Sequence, residues 1–303
     1  MPSSSSDTTS THLELPYRPP LDWAFCLDFH RARAIDGVER IDGDAYVRVL
    51  TTPQAPVLLR LAPGQRNCLH ATLTGAPAAL VPWLEQRLRA AFDLDADPAV
   101  IAHHLARDAR LAPLVAARPG LRVAGCVDAF EQAVRAILGQ QISVRAAIGL
   151  ATRLSARWGA PVAFAGEPTL THAFPTPQAL CTADVASLGM PRARGRAVAA
   201  LAAAVLDDAA LLTRAASLEA TLARLTALAG IGAWSAHYIA MRALREADAF
   251  PASDVGILRA LAAPGAARPD ARAAMALAEA WRPWRAYAAQ HLWAADAVPR
   301  GDD

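Results

Sequence analysis

The sequence predicts an α+β protein, with a small antiparallel-sheet domain over residues 13–97 followed by an all-α region over 98–303. Two observations predict that division. Residues 13 to about 75 hold short apolar runs broken by Pro and Gly, the texture of strands joined by tight turns. From Pro98 onward the apolar residues recur every third or fourth position, the period of helices that pack on one another. A chain of 303 residues is long enough for two such units around a substantial core.

The elements follow in order. Residues 1–12, rich in Ser and Thr, read as a disordered tail and lack the basic and apolar segments of a signal peptide. Pro19-Pro20 and Trp23 open a short helix that carries Phe25 and Phe29. The run ERIDGDAYVRVL (39–50) reads as two strands about Gly43-Asp44, a hairpin signal. Val57 to Leu61 and Leu69 to Leu73 supply two more strands, separated by Pro63-Gly64. A helix from Pro77 to Phe92 has Leu80, Leu84 and Leu88 at fourfold spacing. Asp93, Asp95 and Asp97 lack the glycine and distant glutamate of a calcium loop, and Asp97-Pro98 is a helix start. His103 and His104 are adjacent, so on a helix they point apart and make no paired ligand.

In the helical region, Asp128 with Glu131 forms a capping-box pattern ahead of Phe130, Val134 and Ile137. Gly139-Gln140-Gln141 breaks the period, and Ser143 caps the next helix, which runs to Trp158. Residues 164–178 are the longest irregular stretch and are expected to wrap the surface. Pro191 starts a helix with Arg192, Arg194 and Arg196 around its first turns. Ser217 caps a helix bearing Leu218, Leu222 and Leu225. Gly230-Ile231-Gly232 then turns the chain into a second helix, with Trp234, Tyr238 and Met241 on one face. Two glycines in three residues permit a left-handed turn, and the helix start beyond adds unpaired N–H donors, so this turn suits a phosphate. Pro251-Ala252-Ser253-Asp254 places a carboxylate at the next helix start. The last helix gathers Trp281, Trp284, Tyr287 and Trp293 in a chain with only 6% aromatics.

Composition excludes several classes. No run of 18 apolar residues exists, so a membrane-spanning helix is not expected. Cys26, Cys68, Cys126 and Cys181 lie far apart with no C-x-x-C pair, which argues for reduced thiols and against zinc. A formal charge of +2 does not by itself announce a nucleic-acid binder. All thirty basic residues are arginine; the chain has no lysine.

The pattern L-x-G-I-G-x-W-[ST]-A over 228–236, followed by Asp254, resembles the helix–hairpin–helix DNA glycosylases, in particular the DNA-3-methyladenine glycosylase II (AlkA) type. The resemblance extends to PPLDW (19–23), RPGLRVAGCVDAFEQAVRAILGQQIS (118–143), FPTPQAL (174–180), LGMPRARGRA (188–197) and WRPWRAYAAQHLW (281–293), in the family's order. It implies that the all-α region is a glycosylase bundle of two helical subdomains with a cleft between them. The resemblance further implies a base-excision enzyme that flips alkylated bases such as 3-methyladenine and 7-methylguanine out of double-stranded DNA and leaves an abasic site.

By resemblance Asp254 is the catalytic carboxylate, facing the positive charge that builds on deoxyribose as the N-glycosidic bond breaks. Trp234, Tyr238, Trp293 and Phe29 fall at base-pocket positions, although Phe29 equally suits the core. The pocket tyrosine expected after the aspartate is replaced by Val255. Gly230, Ile231, Gly232, Ala233 and Ser235 match the phosphate-binding hairpin. Gln141 matches the turn that wedges into the gap left by the flipped base, and a plain helix–helix turn is the competing reading. Arg192 and Arg194 suit either phosphate contact or a solvated face. The backbone carbonyls of Thr226, Leu228 and Ile231 match a monovalent-cation site used with DNA. No other cofactor is implied, and the clustered cysteines of the iron–sulfur relatives are missing. The lysine that forms a Schiff base in strand-cutting relatives is replaced by Trp234, which implies a monofunctional enzyme. A monomer acting on DNA in the cytoplasm, without a membrane, is the expected setting, with salt-sensitive binding. An oxidised-base glycosylase and a non-catalytic DNA-binding module are the alternatives.

Overall fold

The computed structural model describes residues 9–262 and 267–297. An antiparallel sheet of five strands has the order β1-β5-β4-β3-β2, formed by β1 (Ser10–Pro16), β2 (Glu39–Asp42), β3 (Ala45–Leu50), β4 (Val57–Pro63) and β5 (Cys68–Thr74). The helix α1 (Trp23–Arg31) precedes β2, and α2 (Val81–Ala91) follows β5. Strand β1 corrects the expected tail: it begins at Ser10, inside the stretch read as disordered, with Ser10 opposite Thr74 and Pro16 opposite Cys68. Its alternation buries Leu15 and leaves Glu14 and Pro16 exposed, as an edge strand requires. Residues 1–8 of that tail lie outside the described residues. The hairpin about Gly43-Asp44 is present, with Gly43 at φ +60.

Both faces of the sheet are covered. Tyr46, Leu50, Leu59, Leu61, Leu69 and Leu73 pack with Leu27 of α1 and with Leu84 and Leu88 of α2. On the other face Val47, Val49 and Leu58 meet Leu170 and Ala173. The irregular segment 164–178 therefore seals the back of the sheet, and every residue of β3 is buried.

The helical part begins with α3 (Pro98–Leu105), which Asp97 caps through the N–H groups of Ala99 and Val100. It continues through α4 (Ala112–Ala117), α5 (Ala129–Leu138), α6 (Val144–Trp158), α7 (Pro177–Leu180) and α8 (Arg192–Asp207). The last five helices are α9 (Leu218–Thr226), α10 (Ala233–Arg242), α11 (Val255–Ala260), α12 (Ala271–Ala278) and α13 (Arg285–Asp296). Asp128 caps α5 through Glu131 N, but the Glu131 carboxylate turns away from the cap. It pairs with Arg48 of β3 at 2.6 Å and Arg135 at 2.8 Å. Arg135 also holds Glu39 of β2 at 2.8 Å. This buried network joins the sheet to the helical core. Burial pushes the Glu39 carboxyl up, but Arg135 and Arg48 reverse that and bring it to about 2.

Candidate active site

The turn between α9 and α10 uses its two glycines differently. Gly230 has φ +83, and a Cβ there would lie 2.5 Å from the Ala197 Cβ of α8, so the turn and the close approach of α8 both require glycine. Around Gly232 a Cβ would meet nothing within 4 Å. Its missing side chain leaves open the approach to the N–H groups of an exposed helix start, where Gly232 and Ala233 are solvent-facing. Ile231 is buried, and its N–H donates to the Leu228 carbonyl at 3.1 Å. Ser235 is also buried, and its hydroxyl accepts from Gln140 Nε2 at 3.0 Å rather than facing outward.

The same Gln140 amide reaches the Gly230 carbonyl at 2.8 Å, so the turn after α5 is tied to the hairpin. Arg194 is half-buried and donates through Nη2 to the Gln140 carbonyl at 2.5 Å, which ties α8 to the same turn. Arg192 is exposed at the start of α8. Between these anchors Gln141 is exposed at φ +57, in the left-handed region that residues other than glycine rarely adopt.

Asp254 is the N-cap of α11, accepting from Gly256 N at 2.9 Å and Ile257 N at 3.1 Å. An ordinary cap would end there. Here the Trp293 indole also donates to Oδ1 at 2.7 Å, and the Trp234 indole donates to Oδ2 at 2.9 Å. Oδ1 thus takes three donors and Oδ2 takes one, which leaves Oδ2 with acceptor capacity to spare. Gly256 permits this closeness, since a Cβ would stand 3.2 Å from Asp254 Oδ1, Asp296 Oδ2 and Trp293 Cδ1.

Trp234 stacks on Tyr238 at 5.0 Å and 11°, and Tyr238 meets Trp293 edge-on at 6.1 Å. These three rings, Phe29 and Asp254 line one cleft of about 700 Å³. The stripe on α10 differs from the expected one. Met241 is buried in the core, and Arg242, four residues beyond Tyr238, continues the stripe into the cleft. Two guanidiniums, Arg33 at 4.1 Å and Arg242 at 4.4 Å, lie over the Phe29 ring. Phe29 therefore backs the arginines as well as the cavity. Val255 is 53% exposed beside Asp254. Of the remaining aromatics of the C-terminal segment, Trp281 is core and donates to Asp108 at 2.9 Å, and Tyr287 donates to Asp93 at 2.7 Å.

Two family models match the chain: "AlkA N-terminal domain" over residues 12–128, and "HhH-GPD superfamily base excision DNA repair protein" over 134–286. The second match spans half the chain and contains the hairpin, Trp234 and Asp254. The chain belongs to the HhH-GPD superfamily. This HhH-GPD member is 36% identical to "DNA-3-methyladenine glycosylase 2" of Escherichia coli (strain K12), over 92% of this chain and 95% of the relative. It is 38% identical to the "Probable bifunctional transcriptional activator/DNA repair enzyme AlkA" of Mycobacterium tuberculosis, over 96% of this chain. The chain spans 58% of the length of that mycobacterial relative. In fold it is similar to the 3-methyladenine DNA glycosylase of Archaeoglobus fulgidus, with a TM-score of 0.82 at 20% identity over 95% of this chain and 98% of that one. No helix among the described residues is long and apolar enough to cross a membrane.

Proposed function

We propose that this protein is a monofunctional DNA glycosylase of base excision repair. It hydrolyses the N-glycosidic bond of alkylated bases, 3-methyladenine and 7-methylguanine among them, and leaves an abasic site. The observation that carries this reading is Asp254, fixed by two indole donors at the edge of a cleft walled by the same two rings. As the bond breaks, positive charge grows on the deoxyribose, and a preorganised carboxylate stabilises it without having to reorganise. At ~4 Å and an effective dielectric near 20 that attraction is about 4 kcal/mol. Oδ2 is also the oxygen free to align the attacking water. The aromatic lining of the cleft, Trp234, Tyr238 and Trp293, suits an electron-deficient flipped base.

In this reading double-stranded DNA is held at Gly232 and Ala233 by backbone N–H groups, Arg192 supplies a phosphate contact, and Gln141 fills the gap in the duplex. The carbonyls of Thr226, Leu228 and Ile231 are hard oxygen donors and would hold a monovalent cation at the turn. Leu228 keeps a lone pair beyond the bond it accepts from Ile231. The cation would add positive charge facing the phosphate. Hydrolysis calls for no redox cofactor, and the four cysteines sit in separate parts of the fold. With no lysine in the chain, the lysine route to strand cleavage is closed. The same bias argues against an oxidised-base enzyme of the lysine type, and a cytoplasmic monomer is the simplest working form.

The test is to incubate the protein with methylated duplex DNA, separate the released bases, and run the strand before and after alkali. Free 3-methyladenine or 7-methylguanine is expected, with nicks only after alkali. Tight binding without base release would contradict the proposal and favour a binding module, and release of 8-oxoguanine alone would favour the oxidised-base reading.

A further inference from the structure

Arg242 is 2% exposed and lines the cleft, yet its polar contacts among the described residues are to neutral oxygens. Nη1 donates to the Ala124 carbonyl at 2.6 Å and to Gln290 Oε1 at 3.2 Å, and the guanidinium also donates to the Tyr238 hydroxyl. Nε is buried with no partner. The guanidinium carbon lies 4.4 Å from the Phe29 ring centroid, 5.0 Å from that of Trp293 and 5.1 Å from that of Tyr238. A guanidinium keeps its charge even when buried, so the cleft contains a permanent cation without a counter-ion. Three ring faces compensate part of its desolvation. The phenol of Tyr238 registers the field: burial raises its pKa, but Arg242 first, with Arg33 and Arg135, brings it below the ordinary value.

Trp293 spans the two charges, its indole nitrogen on Asp254 and its ring against Arg242. Trp293 therefore links one anion, Asp254, to one cation, Arg242, while Glu39, Glu131, Arg48 and Arg135 of the same cleft pair with one another and Asp296 pairs with Arg259. Heterolysis of a neutral nucleoside creates the complementary pair. The C1′–N9 bond breaks, both electrons stay on the base, and the sugar becomes cationic. Water then adds to C1′ and its proton goes to the departed base, so the sum is hydrolysis. A base that is already cationic, such as 7-methylguanine, leaves neutral and has no negative charge for the guanidinium to stabilise.

We propose that Arg242 stabilises the negative charge that accumulates on a neutral damaged purine as its glycosidic bond breaks. The proposal rests on the glycosylase reading above and assigns to Arg242 the handling of the leaving group.

The test measures single-turnover release of hypoxanthine, a neutral purine, and of 7-methylguanine, each from a single-lesion duplex. Wild type is compared with Arg242→Met, which keeps the reach and loses the charge, and Arg242→Lys, which keeps a charge. The hypoxanthine to 7-methylguanine rate ratio should fall on the order of 100-fold in the Met variant and recover most of that in the Lys variant. Equal slowing of both bases, or an unchanged ratio, would assign Arg242 to packing alone and overturn the proposal. Wild type needs no variant to be informative: release of 7-methylguanine with hypoxanthine no faster than in buffer would overturn the proposal and leave the glycosylase reading standing. Release of neither base would remove both.

Discussion

Asp254 and Trp293 are coupled by a charge-assisted hydrogen bond of 2.7 Å, so the ring that walls the cleft also aims the carboxylate. Trp293→Phe keeps most of the wall and removes that donor. A hydrogen bond to a charged group is worth ~1.5–3 kcal/mol, so single-turnover release of 7-methylguanine should slow by about 10- to 100-fold. Affinity for undamaged duplex, measured alongside, should hold, and an unaltered rate would show that the indole only fills space. Asp254, Trp234, Tyr238 and Trp293 were named in the sequence through the resemblance, since a carboxylate at a helix start is ordinarily a cap and aromatics at helical spacing are ordinarily core. The structure brings all four to one cleft. Arg242 was not so named. One arginine among thirty carries no signal, and its setting is made by Phe29 of α1 and Trp293 of α13, far away along the chain. The i, i+4, i+8 series Trp234, Tyr238, Arg242 was the available clue, and an apolar reading of the face favoured Met241 instead.

At the level of elements, the two hairpin glycines differ: Gly230 is required by the turn and by α8, whereas Gly232 faces open space and is proposed to admit a phosphate. Gly230→Ala forces a Cβ at φ +83 against Ala197 and should cost about 1–3 kcal/mol, seen as a lower thermal midpoint. Gly232→Ala meets open space, so its midpoint should stay within about 1 °C of wild type for a change worth a few tenths of a kcal/mol, while affinity for duplex DNA drops. Identical behaviour of the two variants in both assays would contradict this division. Most helices, their caps and four of the strands could be read locally, since Asp97, Asp128, Ser143, Ser217 and Asp254 all cap as their sequences suggest. The last helix is shorter than expected, because Arg282-Pro283 interrupts it, so that Trp281 sits on a separate turn, Trp284 is the cap and α13 begins at Arg285. Strand β1 could not be read locally, because a Ser- and Thr-rich segment becomes a strand only by pairing with β5, some 60 residues away. The Gln140 and Arg194 ties between the turn after α5, the hairpin and α8 are equally non-local, and no spacing rule announces them.

For the whole molecule, the burial of charge and of imidazole sets an acid limit. Glu39 sits at about 2 in the fold against an ordinary 4.5, so its contribution is complete above 4.5 and is lost as pH falls toward 2. Burial pushes His237 and His291 down to about 4 from 6.5, so the folded state prefers them neutral and their contribution is complete above 6.5. As pH falls from 6.5 to 4 each histidine should withdraw up to about 1.4 kcal/mol per pH unit. Thermal midpoints should therefore decline between pH 7 and pH 5, and a flat or rising series would contradict the sign. Sheet and bundle are joined at the Arg48–Glu131–Arg135–Glu39 network, and the cleft reaches from Asp254 to these same residues, so the site and the joint are one continuous construction. Its function as proposed turns on a single negative charge. The most direct measurement is the single-turnover rate of 7-methylguanine release for wild type and Asp254→Asn, with affinity for the lesion duplex taken in parallel. Asparagine caps α11 as well as aspartate does. The account predicts a rate lower by ~10³-fold with affinity within about threefold; a variant that kept its rate within about tenfold would contradict it.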